Sequence, residues 1–148
     1  MKWIPLHLHS QYSILDSTCS VEALVTKAKE CEMPALALTD HGNLFGAIDF
    51  YKACHREGIK PIIGAELWVA PTSRLEKKRI AGLQVGYPIV LLAKNLTGYK
   101  NLCYLSSIGY TEGFYYYPRI DKDCLKGRSE GLICLSGPTA GAIARWII

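Results

Sequence analysis

Three imidazoles and two carboxylates in the first half of the chain carry the earliest chemical signal: His7, His9, Asp16, His41 and Glu66. In His7-Leu8-His9 one residue separates the histidines. On an extended backbone both rings then leave the same face, while Leu6 and Leu8 point the other way. Two imidazoles about 7 Å apart along a strand can share one metal ion or flank a pair. The tripeptide also describes two polar residues on a solvated face, so its weight comes from what accompanies it. Asp16 lies in Tyr12-Ser13-Ile14-Leu15-Asp16-Ser17, a setting that suits a turn or capping residue as well. His41 follows the apolar run Ala35-Leu36-Ala37-Leu38-Thr39, and Glu66 follows Pro61-Ile62-Ile63 with Gly64 between. Both are expected at strand ends, where α/β folds gather functional groups. Nitrogens and carboxylates in this mixture form a donor set favoured by zinc or manganese. A divalent ion in such a set lowers the pKa of water and steadies a phosphate for hydrolysis. Asp40, next to His41, is expected as a turn residue or as a carboxylate that orients a ligand histidine from behind. His55, in a helical stretch and followed by Arg56, reads as a surface residue. The chain has no phosphate-binding glycine loop, nucleophile elbow or zinc-finger spacing.

The elements that must position these groups alternate in type. Ile4 to Ser10 is expected as a short strand. Val21 to Cys31 is expected as a helix, with Val21, Leu24, Val25 and Ala28 at helical spacing and Ser20 as N-cap. Ala35 to Thr39 reads as a strand covered on both faces. Gly42 and Gly46 bracket a turn, and Ala47 to Glu57 forms a second helix closed by Gly58. Two short strands, Pro61 to Ile63 and Leu67 to Ala70, are expected on either side of Gly64-Ala65-Glu66. Residues 71–87 lack apolar periodicity and read as a loop. Ile89 to Ala93 is a buried strand, Thr97 to Ile108 a helix, and Tyr110 to Arg119 aromatic and irregular. Leu132 to Leu135 is a last strand, and Ala140 to Ile148 reads as helical. The alternation predicts an α/β fold with a mostly parallel sheet.

Composition bounds the rest. At 148 residues, 49% hydrophobic and 20% charged, the chain has the make-up of a globular domain and lacks the signature of disorder. The formal charge of +4 permits contact with a polyanion without requiring it. Lys77-Lys78-Arg79 forms the one basic run, read as a solvated loop. Six cysteines without a C-x-x-C pair are expected as buried, reduced thiols of a cytoplasmic protein. No apolar stretch reaches the roughly 18 residues of a membrane span. The ending Trp146-Ile147-Ile148 is apolar and uncapped, which leads us to expect a piece of a larger fold.

His7-Leu8-His9-Ser10, with Tyr12-Ser13 and Asp16, resembles the opening motif of the PHP (polymerase and histidinol phosphatase) superfamily. Pro34 to Asn43 is similar to its second motif, and Gly58 to Glu66 to the segment bearing its glutamate ligand. Leu91 to Asn95, Gly98 to Leu102 and Glu112 to Asp121 are similar to bacterial replicative DNA polymerases of this superfamily and are absent from its small phosphatases. The resemblance spans nearly the whole chain. It implies the first part of a distorted (β/α)7 TIM-like barrel, with residues 1–148 the amino-terminal portion of a PHP domain. An Asp-x-His ligand pair and the polymerase modules would lie beyond residue 148. It further implies a divalent metal, zinc or manganese, on His7, His9, Asp16, His41 and Glu66. Partners would be DNA through the parent polymerase, other replicase subunits and a proofreading exonuclease, with no membrane. Two positions depart from the pattern: Pro88 stands where metal-retaining relatives carry a histidine, and Pro138 where they carry a cysteine. Two activities follow as alternatives, a 3′–5′ exonuclease or phosphoesterase, and a docking module with a degenerate metal site. A stand-alone phosphoesterase is a third.

Overall fold

The computed structural model describes residues 3–137 together with 139, 141 and 143. Its elements run α1 (Val21–Glu30), β1 (Ala35–Leu38), α2 (Ala47–Glu57), β2 (Lys60–Val69), β3 (Tyr87–Ala93), α3 (Leu96–Thr111), β4 (Arg119–Ile120), α4 (Lys122–Gly127) and β5 (Leu132–Leu135). The sheet order is β1-β2-β3-β5, with β4 paired to β2. β1 and β4 run parallel to β2, as expected of the α/β alternation. β3 runs antiparallel to both β2 and β5, so the sheet is mixed. The long connection at residues 70–86 folds back without a crossover helix, and a strand that returns this way must reverse.

Alternation along β2 sorts the two faces. Ala65, Leu67 and Val69 join Ile89 and Leu91 of β3 against Leu102, Leu105 and Ile108 of α3. Leu36 and Leu38 of β1 face the same side and pack with Val21, Val25 and Phe50 of α1 and α2. Each fully buried side chain here, such as Phe50 or Leu67, contributes about 2 kcal/mol of apolar burial. All three major helices therefore cover one face. Ala37, Val90 and Leu92, with Ile62 and Leu135, line the other, and Glu66 and Trp68 leave β2 on that inner side.

Local signals account for the helices. Ser20 caps α1 by accepting from the Ala23 amide at 3.1 Å. Gly58 ends α2 with φ of 71°, a left-handed turn open to glycine without a side-chain penalty. α2 coincides with its expected span, and α1 ends one residue early, with Cys31 as its cap. α3 extends beyond the expected Thr97–Ile108 at both ends. His55 is exposed on α2 with its ring tilted against Tyr51, as expected of a surface residue.

Several expectations are corrected. Ile4–Ser10 is not a regular strand: it makes only the bonds Ala37 N to Pro5 O and Thr39 N to Leu8 O with β1, and the Leu8 amide is taken by the Thr39 hydroxyl. The two strands expected at 61–63 and 67–70 are one continuous strand, β2. Gly64 lies within β2, where a Cβ would stand 2.6 Å from the Leu91 carbonyl oxygen, so the close backbone approach of β3 requires glycine. β4 and α4 were not foreseen, being two and six residues long. Among the cysteines only Cys54 and Cys124 are buried, while Cys19, Cys31 and Cys134 are exposed; all six are free thiols. Of the expected helix Ala140–Ile148 only Gly141 and Ile143 are described, and Pro138 lies outside the described residues. Among the described residues no helix is long and apolar enough to cross a membrane.

Candidate metal centre

The centre forms where the stretch 5–9 lies against β1 and the middle of β2. The Asp40 carbonyl accepts from the Glu66 amide at 3.0 Å and the Glu66 carbonyl from the Gly42 amide at 2.7 Å, so the parallel ladder continues past β1 and carries His41 level with Glu66. His41 thus sits at a strand end as expected. Glu66 does not; it is mid-strand, because β2 runs on past the end of β1 and pairs with β3 along its other edge.

His7 and His9 converge as their spacing predicts. Their Nε2 atoms are 3.2 Å apart and lie 2.5 Å and 3.0 Å from the same oxygen, Glu66 Oε2. Ligand atoms of these three residues all fall within 4.8 Å of one another, a group able to hold a metal ion. A tetrahedral site with bonds near 2.05 Å has ligand–ligand edges of about 3.3 Å, so the His7–His9 separation already matches. His41 packs against His9 with ring centroids 4.1 Å apart. Its Nε2 is 3.3 Å from Asp16 Oδ2, and its Nδ1 is 3.9 Å from Glu66 Oε2. That Nδ1 is the buried side-chain nitrogen or oxygen left without a hydrogen-bond partner among the described residues. A buried nitrogen without a partner is costly unless something outside the chain satisfies it, and it points toward the Glu66 carboxylate. The donor set and this orphaned atom both fit a divalent ion. All five predicted residues are therefore brought together, three in mutual contact and His41 bridging toward the exposed Asp16.

The electrostatics suit a cation. Burial, reinforced by the neighbouring His9, holds the His41 imidazole below its ordinary value, against the pull of Glu66 and Asp16. A neutral imidazole is the form that ligates. For Glu66 burial pushes the carboxyl up, but hydrogen bonds from His9 and His7 and the charge of His41 outweigh it, leaving the group more acidic than usual.

Asp40 does not touch a histidine ring. Only 1% exposed, it accepts from the Ser10 amide at 2.6 Å, the Ser10 hydroxyl at 2.7 Å and the Ser13 hydroxyl at 2.6 Å. Ser13 Oγ in turn accepts from the His41 amide at 3.1 Å. Asp40 thus ties the loop after His9 to the backbone of His41, and it positions ligands through serines. Ser10 and Ser13 stand in the opening motif, just after the paired histidines, but sequence reasoning gave them no role. Pro88 lies within β3, opposite Trp68 and two pairs beyond Val90–Glu66. It shares the inner face with Glu66 and offers no ligand atom.

Residues 5–148 match the PHP domain family. A DNA polymerase III subunit alpha of Chlamydia muridarum is 63% identical over 145 residues, which is 98% of this chain and 12% of that protein. That of Borreliella burgdorferi is 54% identical over 147 residues, covering 99% of this chain and 13% of the relative. The chain spans about an eighth of the length of these curated relatives. The structure of an amidohydrolase from Chromobacterium violaceum matches with a TM-score of 0.52 and 25% identity, over 72% of this chain and 33% of that one. The open sheet with helices on one face is thus part of a TIM-like barrel of this type.

Proposed function

This chain belongs to the PHP domain family, and from that premise we propose that it is the amino-terminal PHP portion of a bacterial DNA polymerase III alpha subunit, built around a divalent-metal centre that hydrolyses phosphodiesters at a DNA 3′ end. The observation that carries the reading is the convergence of His7, His9 and Glu66 on one point, with the unpartnered Nδ1 of His41 beside it. His7, His9, Glu66 and His41 would hold zinc or manganese, with Asp16 at the open side. A bound ion supplies Lewis acidity toward a phosphate and lowers the pKa of water. The chain's own residues do the rest: the inner sheet face shields one side, the Asp40–Ser13 link holds His41 in place, and exposed Asp16 faces solvent, where it can accept a proton. In the cytoplasm such a centre would serve the parent polymerase, with DNA, replicase subunits and a proofreading exonuclease as partners.

Pro88 favours a second reading, a docking module whose ligand set is incomplete, because it places an apolar ring on the face that Glu66 shares. One experiment separates the two. Elemental analysis of the full-length protein should find zinc or manganese, His9→Ala should lose most of it, and the wild type should shorten a DNA 3′ end in a chelator-sensitive way. Bound metal without hydrolysis leaves the docking module; a wild type without metal refutes the centre itself.

A further inference from the structure

Two residues past Glu66 on β2, Trp68 leaves the same inner face about 7 Å further along the strand. It stacks on Tyr117 with ring centroids 4.2 Å apart and planes 12° from parallel. The Arg79 guanidinium lies over the ring of Tyr116 at 5.3 Å. Together with Gln84 and Gly86 these side chains line a recess of about 370 Å³ between the connection at 70–86 and the turn before β4. Its volume falls within the range of small-ligand sites, about 300–1,000 Å³.

The aromatic residues of this recess are not there to fill a core. Tyr116 is 61% exposed and Tyr117 43%. Tyr116 also holds φ at 62°, in the left-handed region that bulky residues avoid, pinned by the bridge between Tyr115 and Tyr117. The ring meets the edge of Tyr115 and the Arg79 guanidinium yet stays mostly in solvent, and strain that displays a large aromatic ring in this way marks a surface kept for a ligand. Of the exposed basic run Lys77-Lys78-Arg79, Arg79 lines the recess, while Lys78 pairs with Glu76 at 2.8 Å. Flat aromatic faces beside an exposed guanidinium form the combination that binds single-stranded nucleic acid: rings take a base and the cation takes phosphate. The step from Glu66 to Trp68 is on the scale of one nucleotide. A base seated in the recess therefore leaves its own phosphate beside His7, His9 and Glu66.

We infer that this recess is a stacking subsite for the terminal nucleobase of single-stranded DNA, feeding its last phosphodiester to the histidine–glutamate centre. The inference rests on the proposed phosphodiester-hydrolysing reading of that centre. Stacking does not distinguish bases, so the subsite accepts any of them.

The test is photocrosslinking of the full-length protein, in chelator, to a single-stranded DNA carrying a 3′-terminal iodouracil, with mass-spectrometric mapping. Crosslinks are expected on Trp68, Tyr116 or Tyr117. Tyr116→Ala, a change at an exposed position, and Arg79→Ala should each lower the yield about tenfold. An oligonucleotide with an intact 3′ base should compete better than one with an abasic 3′ end. Crosslinks only elsewhere, an unchanged yield in Tyr116→Ala, or equal competition by the abasic strand overturns the subsite. Crosslinking in chelator needs no metal, so a protein that crosslinks here yet holds no metal in the separate elemental analysis, made without chelator, keeps the subsite and refutes the hydrolytic reading instead.

Discussion

Asp40→Asn tests how the centre is held. The carboxylate accepts three hydrogen bonds in a buried setting, two on Oδ1 from the Ser10 amide and the Ser13 hydroxyl, and one on Oδ2 from the Ser10 hydroxyl. Asparagine keeps the shape but replaces one acceptor oxygen with an amino group that only donates. Its best arrangement puts the amide oxygen at the Oδ1 position and turns the Ser10 hydroxyl into an acceptor. Two charge-assisted bonds then become neutral, at about 1 kcal/mol each, and the Ser10 hydroxyl proton loses its acceptor, at about 1 kcal/mol more. The expected loss is about 2–3 kcal/mol. Asp40→Ala leaves three buried donors without an acceptor and should cost about 4 kcal/mol or more. Urea unfolding followed by circular dichroism should show the midpoint falling by about 1 M or more for Asn, and further for Ala. Metal content should fall in parallel, because Ser13 fixes the His41 backbone. A midpoint for Asp40→Asn within error of wild type, or an Asn variant less stable than the Ala variant, would refute this account of Asp40.

Two further outcomes follow from the connection at 70–86. Burial alone would raise the Asp121 carboxyl, but the amides of Arg74 and Cys124 and the Arg74 guanidinium bring it down to about 2. A carboxyl depressed from its ordinary value near 3.8 stabilises the fold above that value, and the contribution disappears as pH falls toward 2. Asp121→Asn should therefore cost about 2 kcal/mol at pH 7 and little once the pH falls below about 2, read from urea midpoints across that range; a cost independent of pH would contradict its origin in hydrogen bonds to the ionised carboxylate. Arg119, 1% exposed, donates to the carbonyls of Gly113, Val85, Arg74 and Glu76, and so clamps the connection to the inner face. Arg119→Met keeps the length but leaves those carbonyls without a donor, so trypsin should cut after Lys77, Lys78 or Arg79 about tenfold faster or more, reflecting a local opening made easier by at least 1.4 kcal/mol. An unchanged cleavage rate would show that the clamp does not hold the segment.

What the sequence by itself determined is local. Ser20 and Gly58 delimit α1 and α2 because caps act within a few residues of their own backbone. The pairing of His7 with His9 follows from a two-residue period, and it survived even though Ile4–Ser10 is no regular strand. The run Ala35–Leu38 could be read as fully buried because both of its faces are apolar. The tertiary structure decided everything that depends on which segment lies beside which. That β2 is one strand, that β3 reverses, and that Glu66 is mid-strand all depend on β2 running on past β1 with β3 along its other edge, a long-range pairing that no window of local periodicity contains. Asp40 could be suspected of supporting a histidine, but that it works through Ser10 and Ser13 depends on a contact spanning about thirty residues. Three exposed cysteines and a buried Arg119 reverse what residue type alone suggests, since burial is set by packing and not by side-chain chemistry. The five candidate ligands were legible as a set of residue types; that three of them share a point, with His41 beside it and its Nδ1 unsatisfied, is a property of the folded chain.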